Sequence, residues 1–160
     1  MNNKNDRKIV ISVIGSHESS TQKDKLAFEV GQMVANLGAV LVCGGLGGAM
    51  ESVSRGAKKA GGITIGLLPG KDKAEANPYI DIPLPTSIGY ARNAMVACSA
   101  DIIIALPGSY GTSSEICYGL VFGRPVIDLG NWNVKGMISV KNLQDAEQKI
   151  TALIQKIRDS

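Results

Sequence analysis

Apolar positions along this chain fall into two periods. Residues 8–14 (KIVISVI), 39–43 (AVLVC), 63–68 (ITIGLL) and 101–106 (DIIIAL) are apolar at successive positions and rich in β-branched side chains. Runs of that kind suit parallel strands covered by helices on both faces. Between them the apolar residues space out to three and four. Leu26, Val30, Met33, Val34 and Leu37 predict a helix over residues 25–37, closed by Gly38. Further helices are predicted over residues 49–60, 87–99 and 113–122. A terminal one over residues 142–157 carries Leu143, Ala146, Ile150, Leu153, Ile154 and Ile157 on its inner face. Shorter strands are expected at residues 79–84, 126–129 and 137–140, with a polar loop over residues 71–78. Strands alternating with helices predict a doubly wound parallel α/β sheet, because right-handed crossovers place helices on both faces. Ligands in such sheets bind beyond the carboxyl ends of the strands. Four loops fall there: residues 15–22, 44–48, 69–73 and 107–112.

Composition narrows the picture. At 160 residues the chain is the size of one domain, and a single unit over residues 1–160 is expected. Hydrophobic residues at 44% argue against disorder, and aromatics at 4% argue against a stacking platform for single-stranded nucleic acid. The 17 basic and 14 acidic side chains are interspersed, so no basic footprint for nucleic acid is expected. No apolar run approaches the ~18 residues of a membrane span. The N-terminus, MNNKNDRK, lacks the apolar core of a secretory signal. Cys43, Cys98 and Cys117 form no CxxC pair. They read as reduced, buried thiols of a cytoplasmic protein, with no metal site.

The chemistry concentrates in two glycine turns. GGLGGAM follows the second strand and opens a helix, so backbone N–H groups of Gly44, Gly45, Gly47 and Gly48 are candidates for holding phosphate. No Gly-Lys-Ser/Thr follows, which excludes a Walker loop. The first turn is GSHESS and the second strand ends at Cys43 without an acidic ribose ligand, which disfavours NAD. Gly15 and Ser16 in that first turn join the candidate set, while His17 beside them reads as a solvated loop residue. The turn PGSYGT repeats the anion-binding pattern with Gly108, Ser109, Gly111 and Thr112. Thr112 and Glu115 also match a capping box, TSSE, so Glu115 reads equally as a cap partner or as a carboxylate at the pocket mouth. Arg92, in the small-residue segment IGYARNAMVACSA, is either a surface ion-pair partner or a phosphate fork. Trp132 reads as a packed cover.

The series VIGS, GGLGGAME, GGITIGLLPG, ARNAMVACSADIIIALPGSYGTSSE and GRPVI resembles the Rossmann-like Lonely Guy family, once misnamed lysine decarboxylases. It is similar above all to the family's short branch, which contains molybdenum cofactor carrier proteins. The resemblance runs from about Ile9 to Ile127. Lonely Guy enzymes cleave the N-glycosidic bond of cytokinin nucleoside 5′-monophosphates to base and ribose 5-phosphate, using a PGGxGTxxE motif and an upstream Arg. The resemblance places that Arg on Arg92, with Asn93 beside it at the ligand, and the catalytic Glu on Glu115. Three departures stand out: Ser109 replaces the second glycine of the motif, Asn93 stands where the enzymes usually have Lys, and Glu51 replaces a glycine. These weigh more against hydrolysis than against nucleotide binding.

Two functions follow as expectations. The first is binding of a nucleotide-type, phosphate-bearing ligand, with a nucleotide or molybdenum cofactor as cargo and no cofactor required. The second is a phosphoribohydrolase in which Arg92 and Glu115 are catalytic. An interaction protein without a ligand is the third class, marked by the absence of any response to phosphate compounds. The resemblance also implies a homo-oligomer, a dimer or a tetramer.

Overall fold

The apolar runs become strands. A computed structural model describes residues 6–160, and its seven strands are β1 (Val10–Ile14), β2 (Val40–Cys43), β3 (Thr64–Leu68), β4 (Ile82–Pro85), β5 (Ile102–Ala105), β6 (Val126–Asp128) and β7 (Ile138–Ser139). All pair in parallel, in the order β4-β3-β2-β1-β5-β6-β7. The helices are α1 (Thr21–Asn36), α2 (Ala49–Lys59), α3 (Arg92–Cys98), α4 (Tyr110–Val121) and α5 (Leu143–Arg158). This is the doubly wound, Rossmann-like sheet that the pattern predicts.

Successive strand residues point to opposite faces, so each strand feeds two cores. On one face Ile11, Val13, Leu41, Ile102 and Ile104 meet Val30 and Val34 of α1, Val53 and Ala57 of α2, and Ile150 of α5. On the other, Ile14, Val42, Leu67, Ile103 and Val126 meet Val96 and Ala97 of α3 and Ile116 of α4. The chain therefore leaves β1 toward one face and leaves its neighbour β5 toward the other. Their carboxyl ends flank the crevice that a doubly wound sheet opens at its switch point.

Four expectations change. Helix α1 starts four residues earlier than its apolar spacing indicates, because the Ser20 hydroxyl accepts from the Lys23 N–H at 3.3 Å and caps a polar first turn. The helix expected over residues 87–99 is broken, since Ser87 and Gly89 take φ of 60° and 59°; a 3-10 turn, Gly89–Ala91, leads into the short α3. The strand expected at residues 79–84 lies at Ile82–Pro85, on the sheet edge, where Pro83 and Pro85 are tolerated. Only Cys43 is a buried thiol; Cys98 and Cys117 lie exposed on the outer sides of α3 and α4. No helix among the described residues is long and apolar enough to cross a membrane. Of the polar N-terminal segment, residues 1–5 lie outside the described residues.

Candidate functional site

The turn after β5 builds one wall of the crevice. Helix α4 begins at Tyr110, three residues before the start that the sequence suggests, with Ser109 as its N-cap. Thr112 is thus the third residue of the helix and not its cap, and the capping-box reading of Glu115 falls. Ser109 has φ −126°, an extended backbone open to any residue, so the departure from glycine costs the turn nothing there. No side chain caps α4. Its first-turn N–H groups lack intrahelical partners and carry the positive end of the helix dipole.

Helix α3 brings the second wall. Arg92 is only 5% exposed, which rules out a surface ion pair. Its Nε donates to the Leu67 carbonyl at 2.8 Å, and its Nη1 donates to Asn93 Oδ1. Asn93, 4% exposed, turns its amide the other way and donates to Ser114 Oγ at 3.2 Å and to the Gly111 carbonyl at 3.5 Å. Gly44 leaves room for the guanidinium: a Cβ there would lie 2.7 Å from Arg92 Nη2 and 2.6 Å from Met50 Sδ.

Gly45, Leu46 and Gly48 of the GGLGG turn are engaged elsewhere. The Gly45 carbonyl accepts from the Asn77 N–H and the Leu46 carbonyl from Asn77 Nδ2, each at 2.9 Å. Gly48, at φ +64°, lets the turn approach so closely that a Cβ would stand 2.4 Å from the His17 carbonyl oxygen. The N–H of Ala49, the first of α2, is taken by the Ser16 carbonyl at 2.9 Å, and Ser16 Oγ accepts from the Glu18 N–H. Gly108 packs beneath the Thr112 side chain.

These walls enclose a cavity of about 470 Å³. The structure brings Gly15, Gly44, Arg92, Asn93, Ser109, Gly111, Thr112 and Glu115 to its lining, and leaves Ser16, Gly45, Gly47, Gly48 and Gly108 out of it. The loop over residues 69–73 does not reach it. His17 borders it. Sequence reasoning missed Met50, Ser114, Tyr90 and Tyr110; the two tyrosines, 83% and 94% exposed, stand at the mouth. Their signal was position, Tyr90 two residues before Arg92 and Tyr110 directly after Ser109, in a chain with four tyrosines. Trp132 does serve as a cover, its Nε1 donating to the Leu106 carbonyl at 3.0 Å.

Electrostatically the cavity holds one buried cation and one buried acid. Glu115 is 7% exposed, and burial pushes its carboxyl from 4.5 up to about 8 despite the opposing pull of Arg92. Burial also draws the Arg92 guanidinium below its ordinary value, with Glu115 acting in the other direction. Among the described residues no ion pair joins the two. Chemically, the arrangement can receive an anion at Arg92 and the α4 N-terminus, with the proton-retaining carboxyl of Glu115 in the same lining. Among the described residues no group of three or more metal-ligating side chains is present.

An uncapped helix end, a buried arginine and a buried acid line one cavity at the switch point of a Rossmann-like parallel sheet, the place where sheets of this class take their ligands. The chain belongs to the SLOG cluster4 family, whose model matches residues 8–157. This agrees with the Lonely Guy resemblance read from the sequence. It is similar to the molybdenum cofactor binding protein of Rippkaea orientalis, with 34% identity and a TM-score of 0.84 over 93% of this chain and 99% of that one. The molybdenum cofactor carrier protein of Chlamydomonas reinhardtii aligns with 30% identity and a TM-score of 0.84, over 93% and 99% of the two chains. A cytokinin riboside 5′-monophosphate phosphoribohydrolase of Mycobacterium tuberculosis is 34% identical over 68% of this chain; the match spans 63% of that enzyme.

Proposed function

We propose that the protein binds a nucleotide-type, phosphate-bearing small molecule in the switch-point cavity and holds it intact, as a carrier of a nucleotide or of a cofactor such as the molybdenum cofactor. The observation that carries this reading is the uncapped N-terminus of α4 facing the same cavity as the buried Arg92. A phosphate fits there through backbone N–H groups and one guanidinium. The apolar floor of Val13, Ile14 and Met50 suits a ring system, and about 470 Å³ lies in the size range of small-molecule sites. If a molybdenum cofactor is the cargo, these residues hold its phosphate and ring, and the metal arrives with the cargo. The likeness to two molybdenum cofactor proteins supports the reading. A reduced, cytoplasmic setting goes with it, since all three cysteines are free thiols.

A second reading is favoured by Glu115. A carboxyl that keeps its proton near neutrality can donate it to the departing base as the C–N bond breaks, and the carboxylate so formed can take the proton that water loses on adding to the ribose carbon. Calorimetry with AMP and a cytokinin monophosphate, run beside an assay for free base, separates the two. Binding without base release is the expected result. Arg92→Ala should weaken AMP binding by about 1.5–3 kcal/mol, the scale of hydrogen bonds to a charged group. Unchanged affinity in that variant, with folding intact, would put the ligand elsewhere. Base release by the wild type that is lost in Glu115→Gln would establish the hydrolase.

The reading also includes a homo-oligomer formed through the outer face of α3 and α4. Met95, Tyr118, Val121 and Phe122 are exposed there, with Val121 at 79% and the Tyr118 and Phe122 rings stacked at 6.0 Å. An apolar patch of this kind marks an interaction surface. Sedimentation at micromolar concentration should show a dimer or larger, and Val121→Lys should shift it toward monomer. A wild type that sediments only at 16.8 kDa would defeat this assignment.

A further inference from the structure

Arg92 and the N-terminal turn of α4 belong to different helices, and one side chain joins them. Asn93 Oδ1 accepts from Arg92 Nη1, and Asn93 Nδ2 donates to Ser114 Oγ and to the Gly111 carbonyl. Ser114 Oγ in turn donates to that same carbonyl at 2.6 Å. With 4% exposure and its amide committed at both ends to protein partners, Asn93 is poorly suited to the direct ligand contact that the sequence suggested. The guanidinium is equally constrained. Nε is held by Leu67, Nη1 by Asn93, and Nη2 lies over Gly44.

We propose that Asn93 is the positioning residue of this site: it locks the Arg92 guanidinium against the first turn of α4, so that a ligand's phosphate meets Nη2 and the helix N–H groups as one preformed cradle. The proposal rests on the cavity being a phosphate site. Its physical basis is that a planar donor loses little freedom on binding only if its plane is already set. Without the amide, Arg92 keeps its charge and its Leu67 contact but gains freedom to rotate about its terminal bonds. Asn93 thereby acts through Arg92, and its effect on a ligand must vanish when Arg92 is gone.

The test is a double-variant cycle with AMP as the probe and adenosine as its phosphate-free counterpart, followed by calorimetry. Asn93→Ala should weaken AMP binding about tenfold and leave adenosine binding within about twofold. In an Arg92→Ala background the same substitution should change AMP affinity by no more than about twofold. Losses that multiply in the double variant would make Asn93 an independent ligand contact and overturn the proposal, as would an unchanged affinity in Asn93→Ala alone. Should Asn93→Ala not fold, Ser114→Ala removes the shorter of the two contacts at the other end of the amide and should cost AMP binding about threefold; no loss there overturns the proposal too. A ligand-free readout comes from the nitrogen-15 spectrum of the arginine side chains. The Arg92 terminal N–H signals should be resolved in the wild type and averaged in Asn93→Ala. A wild type that binds no AMP would refute the nucleotide form of the phosphate-site reading, and that spectrum would then decide whether Asn93 grips Arg92: unaltered signals on removal of the amide refute the grip.

Discussion

Gly56→Val is expected to leave the protein unfolded under conditions where the wild type is fully native. Helices α1 and α2 touch backbone to backbone through two glycines. A Cβ on Gly56 would lie 2.0 Å from the Phe28 carbonyl oxygen, and one on Gly31 would lie 2.0 Å from that of Val53. Both obstacles are backbone atoms inside helices, so no side chain can swing away. Accommodating even a methyl group means forcing α1 and α2 apart, which opens gaps around Ala27, Val30, Val53 and Ala57 in the core beneath them. Overpacking typically costs about 1–3 kcal/mol, and a branched side chain at such a contact exceeds that range. With total stability of about 5–15 kcal/mol for an ordinary domain, one substitution removes much of it. Urea denaturation followed by circular dichroism is the measurement. Gly47→Ala is the control, because a Cβ there meets nothing within 4 Å, and it should shift stability by no more than about 0.5 kcal/mol. A Gly56→Val protein with the wild-type midpoint would show that the two helices are not in the close contact described.

Glu115→Gln should make the protein more stable than the wild type at pH 9 while the two remain alike at pH 4. Burial raises the folded-state carboxyl from 4.5 to about 8. Between those values the folded protein holds a proton that the unfolded chain has lost, so stability falls as pH rises. The contribution is fully present below pH 4.5, declines through the interval, and is lost above about pH 8. A shift of that size corresponds to about 3–5 kcal/mol across the window, all of it absent from the glutamine variant. Denaturation midpoints at pH 4, 7 and 9 measure it. Parallel pH dependence in the two proteins would contradict a neutral buried Glu115. The same ionisation governs the ligand. An anionic carboxylate across from Arg92 opposes a phosphate, so wild-type affinity for AMP should fall above pH 8, and that of Glu115→Gln should fall less.

The sheet was legible because its strands are buried on both faces, and a strand such as VISVI has few other places to go. The sequence alone was therefore enough to indicate a doubly wound sheet, loops at the carboxyl ends, and two glycine turns that open helices. It also singled out Arg92 and Glu115, since a lone arginine among small residues and an acid just inside a helix are conspicuous by composition. What periodicity did not resolve lay in polar stretches and in backbone geometry: the first turn of α1 has no apolar rhythm, the break before α3 comes from the positive φ of Ser87 and Gly89, and the start of α4 at Tyr110 follows from the extended backbone at Ser109.

Which candidate lines the cavity was decided only by tertiary structure. Gly44 and Gly48 stand four residues apart in one turn, yet Gly44 makes room for a guanidinium that arrives from α3, while Gly48 closes on the His17 carbonyl. Asn93 follows Arg92 in the chain, but its link to Ser114 exists because α3 and α4 pack side by side on one face of the sheet. The Glu115 carboxyl sits near 8 because other elements bury it, with only Arg92 pulling the other way. Local sequence determines backbone preference and the burial pattern of each element. Distances between residues of different helices, and the solvation of the groups held there, arise only once the elements are assembled.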